Sequence, residues 1–172
     1  MKVFTAPKKV HSLYRTLPSV FLAGSIEMDK AELWQDRVIA ELSQHDIVVF
    51  NPRREAWDSS WKQEAENPQF NEQVNWELDN LDAATYKFFY FDPNTKSPIT
   101  LMELGYVIGR GSENVIVVCP PGFWRRGNVE IICSRNDIYM FDTLEDGLAY
   151  LVLSKSLDQW TVTSLQISFP FR

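Results

Sequence analysis

Residues 86–119 have the sequence YKFFYFDPNTKSPITLMELGYVIGRGSENVIVVC, in which two short apolar runs flank a longer amphipathic stretch. The runs Tyr86–Phe91 and Asn114–Cys119 are rich in aromatic and β-branched residues, which is typical of buried strands. Between them, Ile99–Arg110 has the length and apolar spacing of a helix, and Gly111 ends it. Because parallel strands are joined through crossover helices, these residues predict one unit of a parallel sheet.

The same alternation of strand and helix continues on both sides of this unit. Further strands are predicted at Ser19–Ala23, Ile47–Phe50 and Ile138–Phe141, and further helices at Lys30–Gln44, Pro68–Ala84, Asn128–Arg135 and Thr143–Ser156. The predicted fold class is therefore α/β, a parallel sheet flanked by helices, in a single domain over residues 1–172. Residues 1–18 are interpreted as an N-terminal extension, and residues 157–172 as an apolar, β-prone tail that packs on the body or at a subunit interface.

Ligands of such sheets bind at the carboxyl ends of the strands, close to the point where the strand order reverses. The loops expected at that edge are Gly24–Asp29, Asn51–Asn67, Asp92–Ser97 and Pro120–Asn128. Candidate functional residues are therefore expected in these loops and in the helices that follow them.

The composition excludes several classes of protein. The chain has 172 residues and a net charge of -6, which argues against binding to a nucleic-acid polymer or to an anionic membrane. Neither a membrane-spanning run nor a secretory signal is predicted from the sequence. Cys119 and Cys133 lie in apolar contexts and are predicted to be reduced core thiols of a cytoplasmic protein. The two histidines, His11 and His45, lie outside any zinc-binding motif, so no metal site is predicted.

Glu103 is the residue whose position first indicates chemistry. On the predicted helix Ile99–Arg110 it shares one face with Ile99, Tyr106 and Val107. A carboxylate on an otherwise apolar face is expected to be partly buried, and burial disfavours its charged form. Glu103 is therefore a candidate functional acid.

The structural alternative for Glu103 is a capping box with Thr100. Pro98, however, is better placed at the first helical position, and Ser97 then becomes the N-cap. Glu103 lies beyond the capping position in that arrangement.

Glu77 repeats the pattern on the preceding predicted helix. It interrupts an apolar stripe at helical spacing, made of Phe70, Val74, Leu78 and Leu81. The alternative is an acid at the edge of the stripe that pairs with an arginine. Two interrupted stripes beside predicted ligand loops favour a functional pair. Glycosidic chemistry uses two carboxyl groups, one to attack the anomeric carbon and one to handle a proton or the sugar hydroxyls.

The predicted ligand loops offer further candidate contacts. Gly24 would let the backbone approach a ligand and Ser25 supplies a hydroxyl, although an ordinary tight turn is the alternative. The loop matches neither a dinucleotide nor a triphosphate motif. Four tryptophans in or beside the loops suit either nucleobase stacking or packing in a core or interface: Trp57, Trp61, Trp76 and Trp124. For the basic pairs Arg53-Arg54 and Arg125-Arg126, pairing with buried acids ranks above phosphate binding and plain solvation.

Five segments, in this order, resemble those of the nucleoside 2-deoxyribosyltransferase-like family. They are Gly24-Ser25-Ile26, Asn51-Pro52-Arg53-Arg54, residues 72–78 (EQVNWEL), residues 97–105 (SPITLMELG) and Arg126-Gly127-Asn128-Val129. The resemblance extends from about Val20 to Phe141. It implies a Rossmann-like, flavodoxin-like α/β fold in three layers. It also implies cleavage of the N-glycosidic bond of 2′-deoxynucleosides, with transfer of the deoxyribosyl group to another nucleobase or to water.

The resemblance also assigns roles to individual residues. The family's nucleophilic glutamate corresponds to Glu103, and its second acid, usually Asp, corresponds to Glu77. Asn128 matches an Asn that reaches the sugar in a neighbouring subunit, which implies a homo-oligomer with a shared site. The remaining candidate substrate contacts are Gly24, Ser25, Ile26, Arg53, Trp76 and Ser97.

Two substrate classes remain open within the resemblance. Six residues before the nucleophile, the transferases have Asp and the hydrolases of nucleoside 5′-monophosphates have Ser. Ser97 and the Gly24-Ser25-Ile26 loop resemble the hydrolases. Their arginine after this loop is replaced by Glu27, which would repel a phosphate.

The resulting hypothesis is a deoxyribosyl transfer that needs no metal or organic cofactor. Glu103 attacks C1′ of a 2′-deoxynucleoside, a covalent glycosyl-enzyme forms, and a nucleobase or water resolves it. We expect hydrogen-bond donors near Glu103, from Tyr106 or backbone amides, to keep it ionised. The alternatives are a 5′-monophosphate N-glycosidase and a non-catalytic nucleotide sensor. The expected partners are small-molecule nucleosides and nucleobases.

Overall fold

The computed structural model describes residues 1–27, 31–54 and 60–167. Its strands are β1 (Lys2–Thr5), β2 (Ser19–Gly24), β3 (Val48–Asn51), β4 (Tyr86–Tyr90), β5 (Val115–Val118) and β6 (Met140–Phe141). Its α-helices are α1 (Trp34–Glu41), α2 (Pro68–Ala83), α3 (Pro98–Gly109), α4 (Arg126–Arg135) and α5 (Leu144–Ile167). Short 3-10 helices lie at Ser12–Thr16 and Leu42–Gln44.

The strands form one parallel sheet in the order β1-β3-β2-β4-β5-β6. The order reverses between β2 and β4, which pair in register from Val20 opposite Tyr86 to Gly24 opposite Tyr90. Residues before β2, interpreted from the sequence as an extension, contribute β1 to the edge of the sheet beside β3. The predicted α/β fold with a Rossmann-like parallel sheet is confirmed.

Helices cover both faces of the sheet and give three layers. One apolar core includes side chains of α2, α3 and α4 with one face of the strands, among them Phe21, Phe50, Trp76, Phe89, Leu104 and Val129. The second core includes α1 and α5 with the other face, among them Leu22, Trp34, Val49, Phe88, Val118 and Leu148. The strands have apolar residues on both faces, as expected for a sheet buried on both sides.

Gly24 ends β2 at a point where no side chain fits. A Cβ atom at this position would lie 2.5 Å from Cζ2 of Trp34 and 2.6 Å from the carbonyl oxygen of Tyr90. The indole N–H of Trp34 also donates a hydrogen bond to the carbonyl oxygen of Ser25 (3.0 Å). The glycine therefore allows α1 to pack closely against the carboxyl end of the central strands.

Two helices differ from their predicted bounds by more than two residues. The first helix begins at Trp34 rather than at residue 30, which lies outside the described residues. The last helix continues to Ile167, so the prediction that the tail is β-prone is wrong up to that residue. Each residue added to an existing helix gains one hydrogen bond, which lets α5 extend through residues of weak helix propensity.

The prediction that both cysteines are free thiols in the core is confirmed. Cys119 and Cys133 are free, buried thiols, and burial raises their pKa values to about 11 and about 12. No helix in the described part of the chain has the length and apolarity to cross a membrane.

Candidate active site

The candidate site lies at the carboxyl edge of the sheet, where β2 and β4 end side by side. The loop after β2 begins with Ser25, whose backbone N–H donates to the carbonyl oxygen of Tyr90 (3.0 Å). The loop after β4 leads through Asp92 and Thr95 to the start of α3. This is the point where the strand order reverses, the usual ligand position in such sheets.

Three hydroxyl groups connect these two loops. Oγ of Ser25 lies 2.8 Å from Oγ1 of Thr95 and 2.5 Å from Oγ of Ser97, and the two latter atoms are 2.7 Å apart. Ser25 Oγ also accepts a hydrogen bond from the backbone N–H of Asp92 (2.9 Å). All three side chains are buried. The cluster therefore fixes the start of α3 against the end of β2.

Ser97 is the N-cap of α3 and Pro98 follows it, as predicted. Its backbone is left-handed, with φ 46° and ψ 51°, which is uncommon for a residue other than glycine. Its hydroxyl does not cap the helix, because it is bonded within the hydroxyl cluster.

A carboxylate from the other loop lies at the start of α3. Oε1 of Glu27 accepts hydrogen bonds from the backbone N–H groups of Lys96 (2.7 Å) and Ser97 (3.0 Å). The amino end of a helix has a partial positive charge and favours an anion. From the sequence alone Glu27 indicates only repulsion of a phosphate, because the contact between the two loops is not visible there.

Glu103 lies one and a half turns into α3 and is 8% exposed. The buried face of α3 consists of Thr100, Glu103, Leu104 and Val107. The predicted burial of the carboxyl group is therefore confirmed. The buried face differs from the predicted one, however, because Ile99, which was predicted to lie on it, is 57% exposed.

Glu77 on α2 lies close enough to Glu103 for their charges to interact. Burial raises the pKa of Glu103 to about 8, and the charge of Glu77 raises it further in the same direction. Burial also raises the pKa of Glu77, while a hydrogen bond from Gln73 lowers it. Two acids from separate apolar stripes thus form one interacting pair, and neutral pH favours the presence of a proton on it.

Gln73 is a residue that the sequence analysis missed. Its Nε2 donates to Oε1 of Glu77 (2.8 Å) and to the carbonyl oxygen of Pro52 (3.0 Å). It therefore connects the second acid to the loop after β3. The signal in the sequence was the spacing of four between Gln73 and Glu77, which places the two side chains next to each other on a helix.

The prediction that Tyr106 donates a hydrogen bond to Glu103 is wrong. The Tyr106 hydroxyl donates to Oδ2 of Asp82 (2.9 Å), because its position on α3 faces the end of α2. Within the described residues, no backbone amide donates to the Glu103 carboxyl group either. Burial is therefore not offset by hydrogen bonds, which explains the direction of the pKa shift.

The chain also matches a known protein family. The family model described as nucleoside 2-deoxyribosyltransferase like matches residues 17–123, more than half of the chain. The chain belongs to the nucleoside 2-deoxyribosyltransferase-like family. No curated protein matches the chain significantly. Membership of this deoxyribosyltransferase-like family suggests an enzyme with a glycosyl-transfer or N-glycosidase role on small nucleosides and nucleobases.

The part that matches the deoxyribosyltransferase-like family contains both acids, the Gly24-Ser25-Ile26 loop and Ser97. It does not contain Asn128, which is exposed in the first turn of α4. The assigned roles of these residues stay predictions. The structure brings Gly24, Ser25 and Ser97 together at the end of β2 and β4, and Glu77 together with Glu103.

The tryptophans are distributed over different environments. Trp76 is buried among Phe21 and Phe50, and its indole N–H donates to the carbonyl oxygen of Lys8 (2.9 Å). Core packing accounts for these contacts, and they do not support its role as a substrate contact. Trp124 is exposed and donates to the carbonyl oxygen of Lys96 (3.0 Å). Trp57 lies outside the described residues.

The basic pairs have mixed partners. Arg126 pairs with the carboxylate of Asp142 (2.7 Å), so the predicted pairing with an acid is present, but the acid is largely exposed rather than buried. Arg125 instead lies over the ring of Trp124, and Arg54 over that of Trp61. The backbone N–H of Arg53 donates to Oδ1 of Asn51 (3.0 Å).

Arg53 also has an unused donor. Its buried Nη1, like that of Arg54, has no hydrogen-bond partner among residues 1–27, 31–54 and 60–167. A buried guanidinium nitrogen without a partner is costly, so it favours an acceptor that binds from outside. No cluster of three or more His, Cys, Asp or Glu side chains suited to a metal occurs in the same ranges.

Proposed function

We propose that this protein cleaves the N-glycosidic bond of 2′-deoxynucleosides and transfers the deoxyribosyl group to another nucleobase or to water. The observation that supports this most directly is the interacting pair of acids near the switch point of the sheet, the buried Glu103 and the half-buried Glu77. Family membership supports the same reaction class.

The proposed first step forms a bond between a carboxylate oxygen of Glu103 and C1′ of the sugar. The bond between C1′ and the base nitrogen breaks, its electron pair goes to the base, and the base takes up a proton from solvent. In the second step an incoming base or water attacks C1′, the bond from C1′ to the Glu103 oxygen breaks, and the proton of the attacking group goes to solvent, with net retention of configuration. The absence of a 2′-hydroxyl favours the oxocarbenium-like transition state, so few catalytic groups are needed.

The two acids have different tasks in the proposed reaction. At neutral pH a proton lies mainly on Glu103, and the productive form is the one in which Glu103 has lost it and is ionised. The carboxylate of Glu77 then accepts a hydrogen bond from a sugar hydroxyl and orients the sugar. Gln73 positions Glu77 through its hydrogen bond to Oε1.

Asn128 supports the further proposal that the protein works as a homo-oligomer. Its side chain is exposed at the amino end of α4. An exposed Asn there is available to the site of a neighbouring subunit, as the resemblance implies.

The test is turnover of a panel of deoxynucleosides, with and without free adenine, followed by chromatography. Free base indicates hydrolysis and a new nucleoside indicates transfer. Glu103→Ala is expected to reduce kcat by at least about a thousandfold, because the nucleophile is lost. Glu41→Gln, an exposed acid on α1, is the matched control and should retain normal activity.

Two outcomes would contradict the proposal. Near-normal turnover by Glu103→Ala would exclude a glutamyl intermediate at this position. Binding of nucleosides by calorimetry without release of base would instead indicate a sensor module that uses the same pocket.

A further inference from the structure

The Thr100 side chain is buried on α3, but its hydroxyl group has no hydrogen-bond partner. Thr100 is 4% exposed and lies on the same buried face of the helix as Glu103. No hydrogen bond joins its Oγ1 atom to another residue in the described part of the chain. A buried hydroxyl without a partner is costly, because it has given up its hydrogen bonds to water. This cost favours a role for the hydroxyl beyond the packing of α3.

The usual partners of a threonine hydroxyl within a helix do not bind Thr100. Such a hydroxyl commonly donates to the carbonyl oxygen three or four residues earlier. Here these oxygens belong to Ser97 and Lys96, and other groups donate to them. The backbone N–H of Leu101 donates to Ser97 (3.0 Å), and the indole N–H of Trp124 donates to Lys96 (3.0 Å). The Thr100 hydroxyl is therefore available to another acceptor on the buried face.

Glu103 lacks the kind of group that Thr100 offers. Its carboxyl group is buried, and no donor among residues 1–27, 31–54 and 60–167 forms a hydrogen bond with it. An ionised carboxylate in such a place is stabilised by hydrogen bonds from donors. Residues three positions apart on a helix have Cβ atoms about 5–6 Å apart. Rotation of the two side chains about their own single bonds lets Oγ1 of Thr100 donate to the Glu103 carboxylate.

The charged groups on the neighbouring elements do not supply this donor. The acids on α2 and in the loops after β2 and β4 can only accept hydrogen bonds when they are ionised: Glu77, Glu27 and Asp92. The shift in the pKa of Glu103 has no contribution from Arg53 or Arg54, the cations on the loop after β3. Thr100 is therefore the donor that the helix of Glu103 itself provides.

We propose that Thr100 is a positioning residue, whose hydroxyl donates a hydrogen bond to the ionised carboxylate of Glu103 and holds it in the orientation for attack. The proton stays on Oγ1 of Thr100 throughout, so Thr100 is neither an acid nor a base in the reaction. The role in attack rests on the proposed function, because it takes Glu103 as the nucleophile. The hydrogen bond itself can be tested without turnover.

The first experiment compares the pH dependence of kcat/KM in the wild type, Thr100→Val and Thr100→Ser, with a deoxynucleoside that is turned over. Valine keeps the shape of threonine and removes the hydroxyl, whereas serine keeps the hydroxyl. Loss of a hydrogen bond to a carboxylate raises its pKa, so the rising limb of Thr100→Val should move up by about one pH unit. This shift lowers kcat/KM about tenfold at pH 6. Thr100→Ser should keep the wild-type limb.

The matched control is Thr16→Val, at an exposed position before β2, which should leave the profile unchanged. A limb that stays in place in Thr100→Val would overturn the proposal. So would a limb in Thr100→Ser that moves as far as in Thr100→Val, because the hydroxyl would then not be the cause. Thr100→Ala, which also lacks the hydroxyl, replaces the valine variant if that variant does not fold.

The second experiment measures the same hydrogen bond through the stability of the protein. Thermal unfolding is followed across pH, because the stability due to a neutral Glu103 is lost as pH rises through its folded-state pKa. In Thr100→Val this loss should extend to higher pH by about one unit. In a Glu103→Gln background, Thr100→Val should leave the pH dependence unchanged.

Failure of the proposed function gives a different pattern from failure of this inference. If no deoxynucleoside is turned over but the unfolding profiles differ as expected, Thr100 binds the Glu103 carboxylate in a protein that is not this enzyme. If turnover is observed but the unfolding profiles of the wild type and Thr100→Val coincide, the reaction stands and the role of Thr100 is excluded.

Discussion

The surroundings of Glu103 and Glu77 favour the protonated form of both carboxyl groups. Neither acid has a cationic partner in the described residues, and the main cause of both raised pKa values is burial. A nucleophilic carboxylate, in contrast, must be ionised. The consequence is that activity depends on a proton that the fold itself favours, and this dependence can be measured.

The first prediction concerns the pH dependence of kcat/KM. We expect it to rise with pH towards about 8, because the pKa of Glu103 lies near that value and only the ionised form attacks C1′. Glu77→Gln removes the neighbouring charge, so the rising limb should move to lower pH even where the maximal rate falls. The profile is measured with a good deoxynucleoside substrate, and Glu41→Gln provides the reference. A limb that stays in place would show that Glu77 does not act on Glu103.

At the scale of elements, the close approach of α1 to the ends of β2 and β4 depends on one missing side chain. Trp34 packs against Phe88 and Tyr90 and donates to the carbonyl oxygen of Ser25. Gly24 leaves room for this ring. The loop that contains Ser25 and Glu27 is therefore held in position by the packing of Trp34 against it.

Gly24→Ala is expected to destabilise the fold by about 3 kcal/mol or more, since the added Cβ would clash with Trp34 and with the backbone of Tyr90. Activity should fall as well, because the loop after β2 would shift. Gly109→Ala, on α3, is the matched control, because a Cβ at this position has no neighbouring atom within 4 Å outside its own helix backbone. It should be neutral or stabilising by up to about 1 kcal/mol. Urea denaturation measures both, and equal stabilities would contradict the packing argument.

At the scale of the whole molecule, the buried acids reduce the free energy of unfolding. The folded state raises the pKa of Glu103 from 4.5 to about 8, so it binds the proton more tightly than the unfolded state. The contribution of Glu103 to the free energy of unfolding is fully present below about pH 4.5 and is lost as pH rises towards 8. The function proposed for Glu103 is thus expected to oppose stability.

Glu103→Gln should therefore be more stable than the wild type at pH 8, by on the order of 4 kcal/mol. This corresponds to roughly 8–16 °C in Tm. The difference should shrink as pH falls and should disappear well below pH 4.5, where the wild-type carboxyl group is neutral in both states. Thermal unfolding across this pH range measures it, with Glu130→Gln, an exposed acid on α4, as the control. A difference that does not vary with pH would exclude ionisation as its cause.

The sequence was sufficient for the features that repeat over many residues. The alternation of apolar runs and amphipathic stretches predicted the parallel sheet, and the interruption of two apolar stripes predicted the burial of Glu103. Short or irregular features were not predicted. The strand Lys2–Thr5 has too few residues for a pattern. The partner of Tyr106 depends on how α3 is rotated against α2, which spacing alone does not give.

Contacts between distant loops were the main part of the site that the sequence did not reveal. Glu27 and the amides of Lys96 and Ser97 are about seventy residues apart, and only the pairing of β2 with β4 brings them together. Gln73 is different, because its partner Glu77 lies four residues later on the same helix, so the sequence places the two side chains next to each other.

The burial of both cysteine thiols has a practical consequence for fluorescence measurements of ligand binding. Cys119 and Cys133 are buried, and their pKa values leave almost no thiolate at neutral pH. A cysteine introduced at the exposed position Met102, on α3 beside Glu103, would therefore react with a maleimide dye far faster than either native thiol. The natural chain is thus a ready background for fluorescence recordings of ligand arrival, with no need to remove its own cysteines first.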